Sequence, residues 1–245
     1  MTNKIKLSTI LAASLLFTST CSYAEAQLPK RTLKSNYQSF YHTKPKSIDN
    51  ITDMFQEGIF YGRLRSNTFL YEWEKDDSSK DSHIITALGG SLIYKSASLS
   101  DVDFTTGLYY SRAFFDENDD PVNRLKPGKD VLSRYDNATS GDKSMAVLGQ
   151  AYIRYKGLEK TDIRLGRQLV DTFYTKSNDT KMIPNTFDAL YLQTKILPKT
   201  TIKAAYIKKQ KLRDHTSSHS VLMYDDSNTA SHSTWTANDD SAIHK

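Results

Sequence analysis

Four arginines, Arg63, Arg65, Arg154 and Arg164, are the residues whose type and spacing could do chemistry. Each stands on the polar side of a run in which apolar and polar side chains alternate. Arg63 and Arg65 are two apart and therefore project the same way from an extended strand. Arg154 and Arg164 fall on the polar faces of two neighbouring runs. Guanidiniums fixed along a narrow wet wall would offer a carboxylate successive bidentate partners, each weak enough to release it. The plainer alternative is a polar wall that these arginines only solvate. Asp171, Asp179 and Lys181 lie in the polar stretch 171–185. Set against the arginines they would create a transverse field, which makes the stretch a candidate constriction loop. An ordinary surface loop is the alternative.

Other chemistry is poorly supplied. Asp116, Asn118 and Asp120 match the first ligand positions of a calcium loop, but Pro121 replaces the needed glycine and Pro127 the closing glutamate. His215 and His219 have the spacing of one helical face, yet Ser, Thr and Asp surround them and no helix is predicted. No nucleophile elbow, phosphate-binding loop or dinucleotide fingerprint occurs. The sequence therefore predicts no catalytic residues, no metal and no cofactor, and no enzyme.

The elements that must carry the arginines are read from Met145 to Gln210. That stretch holds four segments of about ten residues with alternating polarity, the signature of strands with two chemically different faces. A tilted strand of about that length crosses a bilayer. Gly157-Leu158-Glu159-Lys160 and Leu197-Pro198-Lys199-Thr200 make short turns, whereas 171–185 is long. Upstream, three further strands follow the same rule. Phe60, Gly62, Leu64, Thr68 and Leu70 oppose Arg63, Arg65 and Asn67. Ile84, Leu88, Leu92 and Tyr94 oppose Ala87, Gly89, Ser91 and Lys95, and the third apolar side is Val102, Phe104, Leu108 and Tyr110. In the fourth strand Val147, Gly149, Ala151, Ile153 and Tyr155 oppose Gln150, Tyr152 and Arg154. In the fifth Ile163, Leu165 and Leu169 oppose Asp162, Arg164 and Gln168. Arg167 falls on the apolar side near the strand end, placed for a lipid headgroup. The seventh strand is irregular, because Lys203 and Lys208 fall on opposite faces; either Lys208 snorkels or the register slips there. Tyr71, Trp73, Tyr94, Tyr110, Phe114 and Tyr155 sit near strand ends, where aromatic girdles belong.

Addressing agrees with a membrane strand reading. Residues 1–24 carry Lys4 and Lys6 before the apolar run Leu7 to Phe17, followed by small residues at cleavage positions, as in a secretory signal peptide. Cys21, the only cysteine, lacks the leucine three residues back that a lipoprotein site requires. Removing residues 1–24 takes the net charge from +5 to +3, too small and dispersed for nucleic acid. No later run of about 20 apolar residues makes a membrane helix. A barrel tolerates the mean hydropathy of −0.57, since only alternate residues meet lipid. If the N-terminus is periplasmic, the links near 75–82, 115–144 and 171–185 all fall outside, and each is longer than every inner turn, as barrels require.

The runs IRLGRQL, Ser177-Asn178-Asp179 and MIPNTFDALYLQTKI resemble the OprD family of outer-membrane porins, and FYGRLR and ALGGSLIYKS fit the same pattern. The resemblance covers about residues 57–213. It departs at Lys181, where the family has Arg, and at Asp188 and Ala189, where it commonly has Gly. It implies a barrel of about 18 strands, a third loop folded into the lumen and a basic ladder guiding anionic solutes. The expected fold is all-β, the N-terminal part of an antiparallel transmembrane β-barrel with about seven strands present. The expected divisions are 1–24 signal peptide, 25–54 periplasmic lead-in, 55–212 partial barrel and 213–245 polar tail or truncated extracellular loop. Expected partners are outer-membrane lipid and lipopolysaccharide, the barrel assembly machinery and small polar solutes, with a homo-oligomer compatible. The rival is a soluble periplasmic β-domain that binds a ligand or partner. About seven strands cannot close a bacterial barrel, so the sequence further predicts a fragment, a truncated frame or one piece of a split barrel.

Overall fold

The computed structural model describes residues 31–42, 45–71, 83–116, 131–133, 136–137 and 140–221. The expected signal peptide, Cys21, Trp73, Asn118, Asp120 and the tail beyond 221 lie outside the described residues.

Seven long strands form the body. They are β4 (Ile59–Tyr71), β5 (His83–Lys95), β7 (Val102–Asp116), β8 (Ser144–Tyr155), β9 (Thr161–Gln168), β10 (Thr186–Thr194) and β11 (Ile202–Lys211). Each pairs antiparallel with the next in chain order, the arrangement that short hairpin turns impose. The short elements are β1 (Arg31–Leu33), β2 (Ser39–Tyr41), β3 (Ser47–Ile48), α1 (Ile51–Gln56), β6 (Ser98–Leu99) and β12 (His219–Ser220). β12 adds to the free edge of β11, and among the described residues it is not paired with β4 at the other end of the sheet. No helix among them is long and apolar enough to cross a membrane, which says nothing of strands.

The turns joining β8 to β9 and β10 to β11 are built alike. The Leu158 carbonyl accepts from the Thr161 N–H, and that of Leu197 from Thr200, while Lys160 and Lys199 take left-handed backbones at φ 50° and 54°. A turn closed by a left-handed residue matches the strand twist and keeps these links short. At the same end, α1 is capped by the Asn50 side chain, which accepts from the Asp53 N–H, and it buries Met54 beneath the β5–β7 turn.

The sheet has two chemically opposite faces. One, the open face, carries Phe60, Leu64, Leu88, Leu92, Leu108, Phe114, Ile153, Leu165, Leu190 and Tyr206, all exposed, with Leu64 at 95%. At its turn end the rings of Phe60, Tyr94, Phe104 and Phe55 are in contact. Tyr94, Tyr110, Phe114 and Tyr155, expected in an aromatic girdle, all belong to this face. The other, the covered face, holds the core. Tyr61, Ile85, Ala87, Ile93, Tyr109, Ala113, Met145 and Val147 pack there against Val131, Leu132, Met182 and Ile183 from two of the long links. The end of the 115–144 link, expected to lie wholly outside, therefore turns in at residues 131–133.

Three bulges break strict alternation, the first at Phe114, since Thr86 pairs with Phe115 but Ala87 with Ala113. Gly107 pairs with Gln150 but Leu108 with Leu148, so Gly149 is an extra residue. The insertion resets the period, and Val147, assigned by alternation to the face of Ile153, lies on the covered face at 4% exposure. In β11, Asp188 pairs with Lys209 and Ala189 with Ile207, leaving Lys208 as the extra residue. The register slips at Lys208, and that resolves the two lysines on opposite faces.

The glycine of IRLGRQL has its own task. Gly166 sits at φ 123°, and a Cβ there would meet the Ala151 carbonyl oxygen at 2.3 Å. Gly166→Ala should cost about 1–3 kcal/mol from backbone strain alone. Urea unfolding of the reconstituted chain checks this, and an unchanged midpoint would show that the β8–β9 pairing absorbs the methyl group.

Candidate functional site

The covered face carries Arg63, Arg65, Arg154 and Arg164. Strand alternation turns Arg63 and Arg65 of β4 to that side, and the loop 171–185 leaves the end of β9 and crosses the face to reach them. Asp179 accepts from Arg63 Nη1 at 2.8 Å and from Arg65 Nη1 at 2.6 Å. Arg65 Nη2 also donates to the Asp179 carbonyl at 2.7 Å, and its Nη1 to the Met182 carbonyl at 3.3 Å. The three side chains keep only 12%, 8% and 7% of their exposure. Low dielectric strengthens such a pair, and the extra carbonyl acceptors satisfy donors that burial would otherwise strand. Beneath it, Met182 and Ile183 bury their side chains in the core. The loop is thus held by one polar junction and one apolar anchor.

A second group lies nearer the turn end. Arg154 and Arg164 are direct partners across β8 and β9, so two like charges face one another. Each has its own carboxylate. Asp103, opposite Arg154 on β7, accepts from Nε at 2.9 Å and from Nη2 at 2.8 Å, and Lys156 lies 3.4 Å from it. Asp162, two residues before Arg164 on the same face, accepts from Nε at 2.9 Å and Nη2 at 2.8 Å. The Arg164 guanidinium lies over the Tyr191 ring at 5.2 Å. Lys95 from β5 lies within electrostatic reach of Arg154, Arg164 and Lys156, and 5.5 Å from the Tyr61 ring centroid.

The proposed constriction residues divide. Asp179 is in the junction. Asp171 accepts from the Ser177 N–H at 2.8 Å and from Asn36 Nδ2 at 3.4 Å, and so shapes the loop. The Lys181 ammonium sits 3.6 Å over the Phe69 ring, a cation–π contact. Arg167, expected at lipid headgroups, does stand on the open face, but its Nε lies 2.7 Å from Asp188 and its Nη2 2.6 Å from Ser218 Oγ. Asp188 is its direct partner across β9 and β10, which is why an acid at that position matters. The rings of His215 and of His219 in β12 lie 5.3 Å apart at a tilt of 56°, without a helix. Outside the strands, a hydrogen bond from Lys46 to Glu57 holds that ammonium above its usual range. The N–H and hydroxyl of Ser144 hold the Asp142 carboxyl below its own.

Alternation finds one of the two acids and misses the other. Asp162 was readable, because it shares Arg164's parity two residues away. Asp103 was not, because its partner lies 51 residues on and only the β7–β8 register joins them. The region 31–42 was also missed. Expected as a lead-in with little periodicity, it forms the β1–β2 hairpin and docks on the covered face, with the Tyr41 ring 4.0 Å from that of Tyr61.

This single sheet, apolar on one face and lined with loops and charge on the other, has the fold of part of a porin β-barrel. It is similar to a BenF-like porin from Pseudomonas fluorescens Pf-5, with a TM-score of 0.51 and 14% identity over 67% of this chain and 40% of that one. OccAB2 of Acinetobacter baumannii gives 0.51 and 16% over 68% of this chain and 40% of its own. OccAB1 of the same organism gives 0.50 and 16% over 68% and 38%. The chain therefore matches about two fifths of the length of these solved porins. No protein-family model matches it, and no curated protein does.

Asp179→Ala would leave two nearly buried guanidiniums side by side with no counter-ion. Breaking such a junction should cost on the order of 3–5 kcal/mol. The expected readout is protease cleavage within 171–185 where the parent resists, and equal resistance would show that the apolar anchor alone holds the loop.

Proposed function

We propose that this chain is part of an outer-membrane porin of the OprD family, through which small polar, anionic solutes diffuse along a basic-lined lumen. The observation that carries this reading is the asymmetry of the sheet. Its open face is apolar apart from Arg112, Arg167, Asp188 and Lys209 at the loop end, and among the described residues no second sheet covers it. A contiguous apolar surface of this extent marks a contact with lipid or another protein. The strands run from 8 to 15 residues, lengths suited to crossing a bilayer at a tilt. The soluble alternative needs a cover for that face. Outer-membrane lipid and lipopolysaccharide are the partners that fit it, and the assembly machinery would insert it.

Selectivity follows from unequal pairing. Arg63 and Arg65 share one carboxylate, and Arg154 and Lys156 share another, so cations exceed acids in both clusters. A narrow passage with surplus positive charge raises the local concentration of anions. The arginines stay fixed because each is already bonded, and a solute meets a preorganised donor rather than a mobile one.

Leu64→Arg separates lipid from water. At 95% exposure the change should stay within about 0.5 kcal/mol on a soluble surface, but cost about 2–4 kcal/mol at mid-bilayer. Normal assembly and stability of that variant, or recovery of the chain in the detergent-free periplasmic fraction, ends the barrel reading. For transport, Arg154→Gln with Arg164→Gln is the informative pair, since Arg63 and Arg65 also anchor the loop. Losing about 1 kcal/mol of attraction should lower carboxylate uptake roughly five-fold in an assembled pore. Unchanged uptake would leave these arginines as a solvated wall.

A further inference from the structure

We propose that the N-terminal hairpin, residues 31–42, is the second half of the constriction. It is latched to the loop 171–185, so both segments set the opening beside Arg63 and Arg65. The inference rests on the porin reading and adds a gate element to it.

The hairpin is too small to hold itself. Its strands have three residues each, and a two-stranded ribbon of that size is marginal in water. Leu33, Tyr37 and Phe40 are exposed, so it has little core of its own. What fixes it is a set of contacts to the covered face. Tyr41 lies on Tyr61, near the start of β4 at the turn end of the sheet. Further along β4, Arg63 Nη1 donates to the Tyr37 carbonyl at 3.3 Å and to Ser39 Oγ at 3.4 Å. The same nitrogen donates to Asp179. Hairpin and loop therefore converge on one guanidinium, the hairpin from the turn end of the strands and the loop from the opposite end.

They also bond directly. The Asp179 N–H donates to the Asn36 carbonyl at 3.0 Å, and Asn36 Nδ2 reaches Asp171 Oδ2. Gln38, only 4% exposed, donates through Nε2 to the Ser177 carbonyl. Asn36 Oδ1 in turn accepts from the Gln38 N–H at 3.2 Å, which stiffens the hairpin's turn. Asp179 thus uses its carboxylate for the strand wall and its amide for the hairpin. Neither segment can leave without breaking bonds to the other. None of these bonds belongs to the sheet, whose ladders are complete without the hairpin. The segment adds bulk and the cations Arg31 and Lys34 to the face that would bound the passage, and pore diameter and lining charge are what set selectivity.

The test uses the chain from residue 25 onward in planar bilayers, which lacks the one cysteine, Cys21. Asn36→Ala with Gln38→Ala should raise single-channel conductance about two-fold or more and widen the size cut-off. Lys34→Cys, at an exposed position that should not disturb folding, is then treated with a methanethiosulfonate reagent bearing a sulfonate. Complete modification should cut the current by about half or more. A conducting parent whose conductance is unchanged by that modification overturns the inference alone, even if the double alanine variant fails to assemble. An assembled double variant with parental conductance and cut-off overturns it as well. Where the parent strands close no pore on their own, the latch is read by proteolysis: the double alanine variant should be cut within 171–185 where the parent resists, and equal resistance overturns the inference while leaving the porin reading intact.

Discussion

One carboxylate shared by two guanidiniums organises the covered face. Asp179 is 116 residues from Arg63 and 114 from Arg65, so the junction closes most of the described chain into a single loop. Desolvating three charges is expensive, and the oxygens that gather around Arg63 Nη1 and both Nη atoms of Arg65 offset part of that cost. Arg65 uses two carbonyls besides the carboxylate, and Arg63 a carbonyl and a hydroxyl. Five donors in a rigid fork make arginine suited to this role, where lysine would leave acceptors unserved. Met182 and Ile183 then add the apolar burial that fixes the loop's descent.

The rest of the charged wall obeys the same constraint at lower burial. Arg154 facing Arg164 would repel, but a carboxylate beside each offsets the repulsion, in the order Asp103, Arg154, Arg164, Asp162. Cations still exceed acids in both clusters.

The sheet itself presents two chemically different faces. Side chains alternate between them, and any insertion exchanges the faces beyond it. Gly149 and Lys208 are such insertions, and both sit where the polar pattern shifts relative to the apolar one. Glycine at the first also avoids the Tyr109 ring, which a Cβ would meet at 2.7 Å. Lysine at the second sits beside Lys209, whose partner across the ladder is Asp188. Bulges of this kind bend and twist the strand, which a curved wall needs.

By itself the sequence determined the seven strands, their order, which links are long and which face carries Arg63, Arg65, Arg154 and Arg164. It could do so because alternation and turn chemistry are local, and the apolar and polar periods are written residue by residue. It also marked 171–185 as distinct by length and charge. Tertiary structure alone decided that Asp179 rather than Asp171 or Lys181 meets the arginines. Only there, too, did Asp103 find Arg154, Val147 change sides and a featureless polar segment become a hairpin on the covered face. Each of those outcomes depends on register across strands or on contacts more than 50 residues apart. No local period encodes that information, because many pairings of the same residues satisfy the same alternation, and only the packed sheet chooses among them.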